Sequence, residues 1–402
     1  MKHLDPIVLD LDGSNSAAQD AEIRTRGPVV PVEIQGGVHA WVITGAKPLK
    51  SVLTGPRVSK DARLHWPAFR NGEIGEDHPL VIWHAPDNMF TTYGANHNKL
   101  RGVAQKWFTH RNTQGLRPRI EAISTELLDS LAARPAGEVV DLRDTYAYPL
   151  PIRVISELLG VPDHLADDLK ACVDGLFNTS GAASYAAMFA LLAELVEYRR
   201  QHPGDDLTSL LIAEQAKTGI TDRQIADTQL LMVSAGHETT VNLFDQTIYH
   251  LNAAPRWREA VMAGTVSWLA VFDETLRLEA PVRYIPTRFA VEDFELCGVQ
   301  IKAGDPILAS YGLAGLDPEV HGPTAGQFDP TRPTRDEHIS FGFGAHHCLG
   351  RPLALMEAEI GLPALFHRFP EFTLTTTDRA ELGSTPGYIA NGHQHLPALL
   401  KG

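Results

Sequence analysis

The sequence predicts a mainly α-helical protein with a few small β-sheets. Apolar residues recur with the helical period of about 3.6 residues over long stretches from Asn96 onward, whereas short strand-like runs bounded by glycine and proline lie mainly before it. One glycine-rich segment around Cys348 fits neither periodicity and predicts a tight loop. Since no linker-like stretch divides the chain, we expect residues 1–402 to form a single domain.

The individual elements follow in chain order from the spacing of apolar and turn residues. Two strands are predicted first, at residues 29–34 and 39–44, because β-branched residues alternate there between turn residues. Helices are predicted at residues 119–133, 152–159, 183–202, 222–251 and, last, at about 351–369. Residues 279–288 are expected to be extended, residues 289–307 to form strands, residues 316–335 to be irregular, and the tail 372–400 to form a hairpin pair.

Composition and charge exclude several classes of protein. The chain is 44% hydrophobic and 21% charged, which is ordinary for a globular protein. No apolar run reaches the ~20 residues of a membrane span, and the polar N-terminus lacks the apolar core of a secretory signal. The net charge of −14 argues against nucleic-acid binding. Three cysteines without a Cys-x-x-Cys pair suit a reducing compartment, so we expect a cytoplasmic monomer that binds neither membrane nor nucleic acid.

The most informative segment surrounds Cys348. A strongly helical stretch directly follows the sequence Phe341-Gly342-Phe343-Gly344-Ala345-His346-His347-Cys348-Leu349-Gly350. Free backbone N–H groups and the helix dipole stabilise a thiolate that lies just before a helix N-terminus. Cys348 is therefore predicted to be a metal ligand or a nucleophile, whereas Cys172 and Cys297 are predicted to be ordinary small apolar residues.

A second motif lies midway along the longest predicted helix, where the sequence is Ala235-Gly236-His237-Glu238-Thr239-Thr240. Because glycine costs about 1 kcal/mol in a helix interior, Gly236 is expected either to let a flat or diatomic ligand approach or to pack against another helix. Glu238 and Thr239 can interrupt the helical hydrogen bonds and hold a water molecule. An acid beside a hydroxyl is also suited to deliver protons to an oxygen site.

Two further patterns complete the set. They are Glu274-x-x-Arg277, whose members are neighbours on one helix face, and Asp329-Pro330-Thr331-Arg332 downstream. The motifs around Gly236, Glu274, Arg332 and Cys348 resemble those of the cytochrome P450 family, and they follow one another in the same order along the chain. The resemblance covers nearly the whole chain and is strongest to bacterial members from actinobacteria. It implies the fold of that family, in which a long central helix and the cysteine loop enclose a haem.

The resemblance also implies which residues bind the cofactor. Cys348 would supply the axial thiolate to haem b. The other residues around the cofactor would be Ala235, Gly236, Phe341, Gly342, His346 and Gly350. Cations or hydrogen-bond donors are needed for the two propionates, and the matching residues are His97, Arg101, Arg288 and His346. His97 and Arg101 are four residues apart, so they share one helix face.

The remaining matching residues would be catalytic or structural. Glu238 and Thr239 would deliver protons during oxygen activation. Glu274 and Arg277 would form a buried pair with Arg332 and so fix the scaffold of the cysteine loop.

The implied activity is that of a haem-thiolate monooxygenase. It would use O2 and two electrons from a separate ferredoxin and ferredoxin reductase to hydroxylate a mainly apolar small molecule, such as a steroid, a polyketide or another natural product. Oxidative C–C or C–N coupling of aromatic substrates, for example tryptophan diketopiperazines, is the enzymatic alternative, and a haem sensor is the non-enzymatic one. The motifs do not separate hydroxylation from coupling, whereas the Glu238–Thr239 pair argues against a sensor.

Several separated stretches are expected to line the substrate pocket. They combine apolar side chains with a few polar groups, which suggests a medium to large and mainly apolar ligand. The candidate residues are Ile82, Trp83, Met89, Leu231, Met232, Val282, Arg283, Tyr284, Ile285 and Ile389. Residues 175–189 and 388–393 are further candidate regions of the same pocket.

Residues 88–120 form a locally basic stretch in an acidic chain. The stretch has no Asp or Glu, and its six cations are Lys99, Arg101, Lys106, Arg111, Arg117 and Arg119. We predict that it docks an acidic ferredoxin near the thiolate, with Lys106, Arg111, Arg117 and Arg119 free to pair with the partner.

Overall fold

The structure is a computed structural model that describes residues 5–13, 15–178 and 182–400. The helices are α1 (Ser16–Arg26), α2 (Ala46–Thr54), α3 (Ala62–His65), α4 (Pro67–Arg70), α5 (Val81–His84), α6 (Gly94–Gln105), α7 (His110–Gly115), α8 (Arg117–Ala132), α9 (Pro149–Leu159), α10 (Asp163–Asn178), α11 (Ala182–Gln201), α12 (Leu207–Thr218), α13 (Asp222–Ala253), α14 (Pro255–Met262), α15 (Trp268–Leu278), α16 (Tyr311–Gly315), α17 (Pro318–His321), α18 (Arg351–Arg368) and α19 (Arg379–Leu382). The strands are β1 (Ile7–Val8), β2 (Val29–Ile34), β3 (Val38–Ile43), β4 (Val58–Ser59), β5 (Val139–Asp141), β6 (Tyr284–Ala290), β7 (Phe294–Leu296), β8 (Val299–Ile301), β9 (Pro306–Ser310), β10 (Thr373–Leu374) and β11 (Pro397–Leu399). A π-helical turn lies at Arg143–Ala147, and 3-10 turns lie at Arg335–Glu337 and Gly344–His346. The predicted class, mainly α with small sheets, is confirmed.

The longest of these helices is α13, which forms the centre of the helical core. It begins with a capping box, in which Thr221 Oγ1 accepts a hydrogen bond from Gln224 N and Gln224 Oε1 accepts one from Thr221 N, both at 3.1 Å. Most of its residues are buried, because α9, α11, α15 and α18 pack around it. All of α13 is described, and it runs continuously through Glu238 and Thr239. The expected interruption of its hydrogen bonds at that point is therefore wrong.

A six-stranded sheet lies beside the helices, with strand order β1-β2-β3-β9-β6-β4. β2 and β3 form the predicted neighbouring strands, and Gly36 and Gly37 in the turn between them adopt φ +81° and +75°. β3 pairs parallel with β9, while β6 pairs antiparallel with β9 and β4. Arg288, one of the predicted cofactor-binding residues, therefore lies in an inner strand of this sheet.

The C-terminal tail differs from the prediction. β10 and β11 pair antiparallel, with Thr373 opposite Leu399, but α19 and an irregular segment separate them along the chain. The far edge of β11 pairs with β5, where Ala398 lies opposite Val140. The expected hairpin pair is therefore wrong, and the tail forms a three-stranded sheet. A partner strand so distant in sequence leaves no local pattern by which to predict it.

The cysteine loop is fixed between two packed regions. α18 begins directly after the loop, with Pro352 in its first turn, and packs against α8, α13 and α15 in the large helical core. The 3-10 turn Gly344–His346 packs against α2, whose apolar residues belong to a smaller core beside the large sheet. Within the described part of the chain, no helix combines the length and the apolar character that crossing a bilayer requires.

Candidate active site

Glycine shapes the loop that carries Cys348. The backbone N–H of Cys348 donates to Phe341 O at 2.7 Å and closes the loop. Gly342 and Gly344 both adopt φ +73°, a conformation that other residues rarely adopt. A Cβ on Gly344 would lie 2.7 Å from Leu53 O, so the loop packs closely on α2 because this residue is glycine. The predicted tight loop is present.

The sulfur of Cys348 faces space inside the protein. Its side chain is solvent-accessible, although protein atoms surround it closely enough for burial to be the main influence on its pKa. Burial raises the pKa of the Cys348 thiol, and this outweighs the opposing effects of the Gly350 and Arg351 N–H groups and of the Arg101 charge. The N–H groups at the helix N-terminus therefore favour the thiolate, as the sequence predicted, but burial outweighs their effect. A bound cation would offset the effect of burial.

A row of accessible residues interrupts the buried surface of α13. Leu231, Ala235 and Thr239, each four residues apart on one face, are partly or fully accessible, whereas most of α13 is buried. This row lies on a part of α13 that its neighbouring helices leave uncovered. Thr239 Oγ1 donates to Ala235 O at 2.6 Å, which leaves the hydroxyl oxygen able to accept a hydrogen bond. Met232 lies outside the row and is buried in the helical core, and its contact with substrate stays a prediction.

Gly236 faces a neighbouring helix. A Cβ at this position would lie 2.5 Å from Ile155 Cδ1 of α9, which is closer than real Cβ atoms approach. Helix packing therefore accounts for the glycine, and this is the second of the two roles that the sequence suggested for it. The close approach of a flat or diatomic ligand is not needed to explain its presence.

Glu238 lies next to the accessible row and is held by an arginine that the sequence did not reveal. Arg143 Nη2 donates to Glu238 Oε1 at 2.9 Å, and Arg143 Nη1 donates to Asp245 Oδ2 at 3.0 Å. Burial raises the pKa of Glu238, and the charge and hydrogen bond of Arg143 act against that rise. The carboxyl therefore holds a proton more strongly than an exposed glutamic acid does, as a proton donor requires. No sequence pattern predicted a buried role for Arg143, because a single arginine usually lies at an exposed position.

The four predicted propionate ligands lie near one another beside the cysteine loop. The ring centroids of His97 and His346 are 4.3 Å apart, and Arg101 Nη2 donates to His347 O at 2.8 Å. Burial, together with the charges of Arg288 and the other nearby bases, lowers the pKa of His346 to about 2. His97 Nε2 and Arg288 Nη1 are buried and have no hydrogen-bond partner within residues 5–13, 15–178 and 182–400. Buried polar atoms of this kind need a partner.

Lys60 joins these bases, although the sequence did not single it out. Its ammonium donates to Pro286 O and lies 3.7 Å from the centroid of the Phe90 ring, and the side chain is 2% exposed. Burial lowers the pKa of Lys60 well below its usual value, and the charge of Arg288 adds to the shift. Among the described residues, no aspartate or glutamate forms an ion pair with Lys60 or with the four other bases. A lysine in a polar stretch usually indicates an exposed side chain, so no local pattern distinguishes Lys60 from a surface lysine.

The predicted scaffold residues also lie together. Glu274 and Arg277 share two hydrogen bonds of 2.7 Å each, and both side chains are fully buried. Arg332 Nε lies 3.3 Å from Glu274 Oε1, and Arg277 Nη1 donates to Gly315 O at 2.7 Å. α15 is thereby tied to the irregular segment that precedes the cysteine loop.

Two predicted substrate residues have partners elsewhere in the protein. Arg283 Nε lies 3.5 Å from Asp20 Oδ2, and Arg283 Nη2 donates to Asn391 Oδ1 at 2.9 Å. Tyr284 OH donates to Asp20 Oδ1 in α1. Both side chains therefore connect α1 to the start of β6, and their contact with substrate stays a prediction.

The other predicted pocket residues divide between the cores and accessible positions. Leu231 lies on the accessible row of α13, whereas Met89 is buried in the helical core. The residues that pack partly against the cores beside the large sheet are Trp83, Ile285 and Ile389. Val282 forms an isolated bridge with Ala390, and Ile82 O accepts a hydrogen bond from Tyr185 OH at 3.3 Å. Of the candidate region 175–189, residues 179–181 lie outside the described residues.

The basic stretch of residues 88–120 is less free than predicted. Lys106 Nζ lies 2.6 Å from Glu214 Oε2, and Arg119 Nε lies 2.7 Å from Glu157 Oε1. Arg117 pairs more loosely with two further glutamates. The prediction that these three cations are free for a partner is therefore wrong. Their acidic partners lie outside the stretch, so the composition of the stretch alone did not reveal them.

Comparisons with known proteins agree with this geometry. The sequence model of the family described as Cytochrome P450 matches residues 269–386. The chain is 40% identical to 2-hydroxy-5-methyl-1-naphthoate 7-hydroxylase from Streptomyces carzinostaticus, over 99% of this chain and 98% of that protein. It is 34% identical to cytochrome P450 monooxygenase PikC from Streptomyces venezuelae, over 98% of this chain and 94% of the relative.

Two solved structures show the same fold. CYP154A1 from Streptomyces coelicolor A3(2) is 45% identical, superposes with a TM-score of 0.91 and matches 98% of this chain and 100% of its own. The structure described as "Testerone bound CYP154C4" from Streptomyces sp. ATCC 11861 is 39% identical, has a TM-score of 0.94 and matches 99% of both chains. These similarities, together with the geometry around Cys348, show that the chain belongs to the cytochrome P450 family and is an oxidoreductase of the P450 monooxygenase class.

Proposed function

We propose that the chain is a haem-thiolate monooxygenase that hydroxylates a mainly apolar small molecule, such as a steroid, a polyketide or another natural product. The observation that carries this proposal is the accessible Cys348 sulfur beside buried bases that have no carboxylate partner in the described structure. Such bases require a ligand with negative charge, and such a sulfur requires a cation. One cofactor that meets both requirements is haem.

The residues present fit a haem. Cys348 would bind the iron, while the two propionates would supply the acceptors that the bases lack. The bases that would hold them are His97, Arg101, Arg288, His346 and Lys60. Charge-assisted hydrogen bonds of this type are stronger than neutral ones, and each also removes the cost of a buried unpaired charge. When bound, the cofactor supplies an iron centre that activates O2.

The chain's own residues would deliver protons and exclude water. Burial raises the pKa of Glu238, which favours its protonated form as a proton donor. Thr239 Oγ1 donates its hydrogen to Ala235 O, so its oxygen can accept a hydrogen bond and would hold a proton donor, such as a water molecule, in place. The apolar members of the row, Leu231 and Ala235, would keep bulk water from this position.

The names of the relatives favour hydroxylation over oxidative coupling. Among them are a hydroxylase of a naphthoate and a hydroxylase of 6-deoxyerythronolide B. A solved relative is described as bound to a steroid. These are ring-containing and largely apolar compounds, and an apolar row on α13 suits such a ligand.

The electrons would come from a ferredoxin that a separate reductase reduces. The surface of the cysteine loop itself is the shortest approach to Cys348, and it exposes Phe343, whose side chain is 40% exposed. Lys50 Nζ lies 5.5 Å from the centroid of the Phe343 ring and adds a positive charge there. An aromatic residue next to a cation suits an acidic partner better than the ion-paired bases of residues 88–120 do.

The reduced carbonyl complex tests the cofactor assignment. The wild-type protein should show the strongly red-shifted Soret band of a thiolate-ligated haem, and Cys348→Ala should not. Cys297→Ala, a matched change at an accessible cysteine outside the loop, should keep the band. Retention of the band in Cys348→Ala would contradict the proposal. In the wild-type protein, titration with testosterone and with 2-hydroxy-5-methyl-1-naphthoate, monitored by the shift of the Soret band, would distinguish steroid from aromatic substrates.

A further inference from the structure

Four side chains form a buried cluster, and one of them is the proposed proton donor Glu238. Arg143 lies in the centre and donates from Nη2 to Glu238 Oε1 at 2.9 Å and from Nη1 to Asp245 Oδ2 at 3.0 Å. His393 Nδ1 lies 2.8 Å from Asp245 Oδ1, and the backbone N–H of His393 donates to Asp245 Oδ2 at 2.6 Å. The cluster therefore joins Glu238, Arg143, Asp245 and His393 in sequence.

Three distant parts of the chain build this cluster. Arg143 comes from the π-helical turn before α9, Glu238 and Asp245 come from α13, and His393 comes from the C-terminal segment. The backbone of Gly392 closes over it, because a Cβ there would lie 2.8 Å from Asp245 Oδ2 and 3.0 Å from Arg143 Nη1. The Asp245 side chain is fully buried. Such close enclosure prevents water from replacing the hydrogen bonds of the cluster.

With His393 neutral, the charges of the cluster do not balance when both carboxyl groups are ionised. One guanidinium, which is always charged, lies between the two carboxyl groups of Glu238 and Asp245. Asp245 accepts hydrogen bonds from Arg143 Nη1 and from the backbone N–H of His393, and it accepts a third from His393 Nδ1 in the tautomer that carries a proton on that nitrogen; these bonds stabilise its charge. A buried excess negative charge is unfavourable, so the cluster favours one bound proton, and Glu238 is the group left to bind it.

We propose that Asp245, held by His393, is a positioning residue that occupies one side of Arg143 and thereby keeps Glu238 in its protonated form beside Thr239. This inference rests on the proposed function of Glu238 as a proton donor. If Asp245 lost its charge, the guanidinium of Arg143 would act on Glu238 alone and would favour its ionised form. Arg143 itself does not pass the proton, because arginine keeps its proton in proteins.

Other titratable groups also face the cluster and are part of its charge balance. Those that act on it electrostatically or by ring contact are Asp141, Asp144, Tyr148, His237, Tyr249 and His250. Each of them is unchanged in the variants below. A difference between wild type and variant therefore reports on the substituted residue.

Infrared spectroscopy of the haem-loaded protein tests the inference without a substrate. The carboxylic acid band of Glu238 is identified as the band that Glu238→Gln removes, and its titration is followed with pH. In Asp245→Asn we expect the midpoint of this titration to move to lower pH by about one unit or more. His393→Leu should move it in the same direction, because Asp245 then loses the side-chain donor that stabilises its charge and keeps only the backbone N–H of residue 393. His393→Gln, which can still donate to Asp245, should move it less.

Asp227→Asn is the matched control. Asp227 is also buried on α13 and also pairs with an arginine, since Arg223 Nε lies 3.0 Å from its carboxylate, but it lies three turns before Glu238. The Glu238 titration should not move in this variant. An unmoved midpoint in both Asp245→Asn and His393→Leu would overturn the inference, and so would an equal shift in Asp227→Asn. If Asp245→Asn does not fold, His393→Leu and His393→Gln carry the same test.

Turnover separates this inference from the proposed function. With testosterone as the probe, Glu238→Gln should raise peroxide release per NADPH oxidised at least several-fold, and Asp245→Asn should do so at pH 8 but less at pH 6. If Glu238→Gln leaves this ratio unchanged, the proposed role of Glu238 as a proton donor is wrong, even if Asp245→Asn shifts the infrared titration of Glu238. If Glu238→Gln raises the ratio and Asp245→Asn leaves the infrared midpoint unmoved, only the role of Asp245 is wrong.

Discussion

The guanidinium of Arg277 and the carboxylate of Glu274 share two 2.7 Å hydrogen bonds at a site where both side chains are fully buried. Two charges at this depth are stable only because each has further partners. Arg277 also donates to Gly315 O and Ala325 O, both at 2.7 Å, and Arg332 adds a second guanidinium at 3.3 Å from Glu274. The pair thereby fixes α15 to the segment that leads into the cysteine loop.

Arg277→Met should destabilise the fold strongly. The substitution leaves Glu274 as a buried carboxylate with fewer donors, and removal of one partner of such a pair costs roughly 3–5 kcal/mol in the free energy of unfolding. Urea denaturation measures this loss. Arg119→Met is the control, because Arg119 and Glu157 also lie 2.7 Å apart but both are exposed, and such a pair contributes less than about 1 kcal/mol. Equal losses in the two variants would contradict a specific role for the buried pair.

Lys60→Met should weaken haem retention while it stabilises the protein without haem. If Lys60 binds a propionate, loss of a charge-assisted hydrogen bond of about 1.5–3 kcal/mol should speed haem transfer to apomyoglobin roughly 10- to 100-fold. The apoprotein should gain stability, since a buried ammonium without a carboxylate partner is unfavourable. Lys302→Met is the control, because the ammonium of Lys302 is exposed on the surface. Unchanged haem transfer in Lys60→Met would exclude the proposed contact.

The difference between Cys348 and Lys60 shows which parts of the site a sequence can predict. The loop of Cys348 is a local pattern, because its glycines, its cysteine and the following helix are contiguous, and each has a local physical reason. The long helix that carries Glu238 was predicted for the same reason, from its periodicity. Lys60 and Arg143 became visible only in the structure, since burial of a charged side chain depends on contacts from distant segments. The same limitation produced the wrong hairpin in the tail and the ion pairs missed in residues 88–120.

Gly236→Ala tests whether the glycine serves packing or ligand approach. An added Cβ would meet Ile155 Cδ1, so overpacking of about 1–3 kcal/mol should exceed the gain of about 1 kcal/mol in helix propensity. Ile155→Val removes Cδ1. In urea denaturation, the variant that combines Gly236→Ala with Ile155→Val should therefore be more stable, by at least about 0.5 kcal/mol, than the sum of the two single effects predicts. Gly102→Ala in α6, where nothing lies within 4 Å of the new Cβ, should not be destabilising. Normal stability of Gly236→Ala with weaker haem or ligand binding would favour the ligand role instead.

His84 should make the stability of the protein depend on pH. Its Nε2 lies 2.8 Å from Thr287 Oγ1, and burial lowers the pKa of His84 from 6.5 to about 3. Between these two values the unfolded chain binds more protons than the folded one, so stability rises with pH across this window and is fully present above about pH 6.5. At pH 5 the penalty is roughly 2 kcal/mol. His84→Gln should therefore lose less stability than wild type between pH 8 and pH 5 in urea denaturation. His39→Gln, a change at an exposed histidine, should retain the wild-type dependence.

The electron donor should depend on Lys50 and Phe343 rather than on Lys106. Lys50 and the exposed ring of Phe343 lie beside the loop that carries Cys348, whereas Lys106 is already paired with Glu214 at 2.6 Å. Lys50→Glu should slow ferredoxin-driven turnover, and the difference from wild type should shrink as salt rises, because the Debye length falls from about 10 Å at 0.1 M to about 3 Å at 1 M. Phe343→Ser should slow it with little dependence on salt, since an apolar contact is lost. Peroxide-driven turnover needs no donor and should be unchanged in both variants, and Lys106→Gln should resemble wild type. Slower turnover in Lys106→Gln with normal turnover in Lys50→Glu would place the partner on the basic stretch after all.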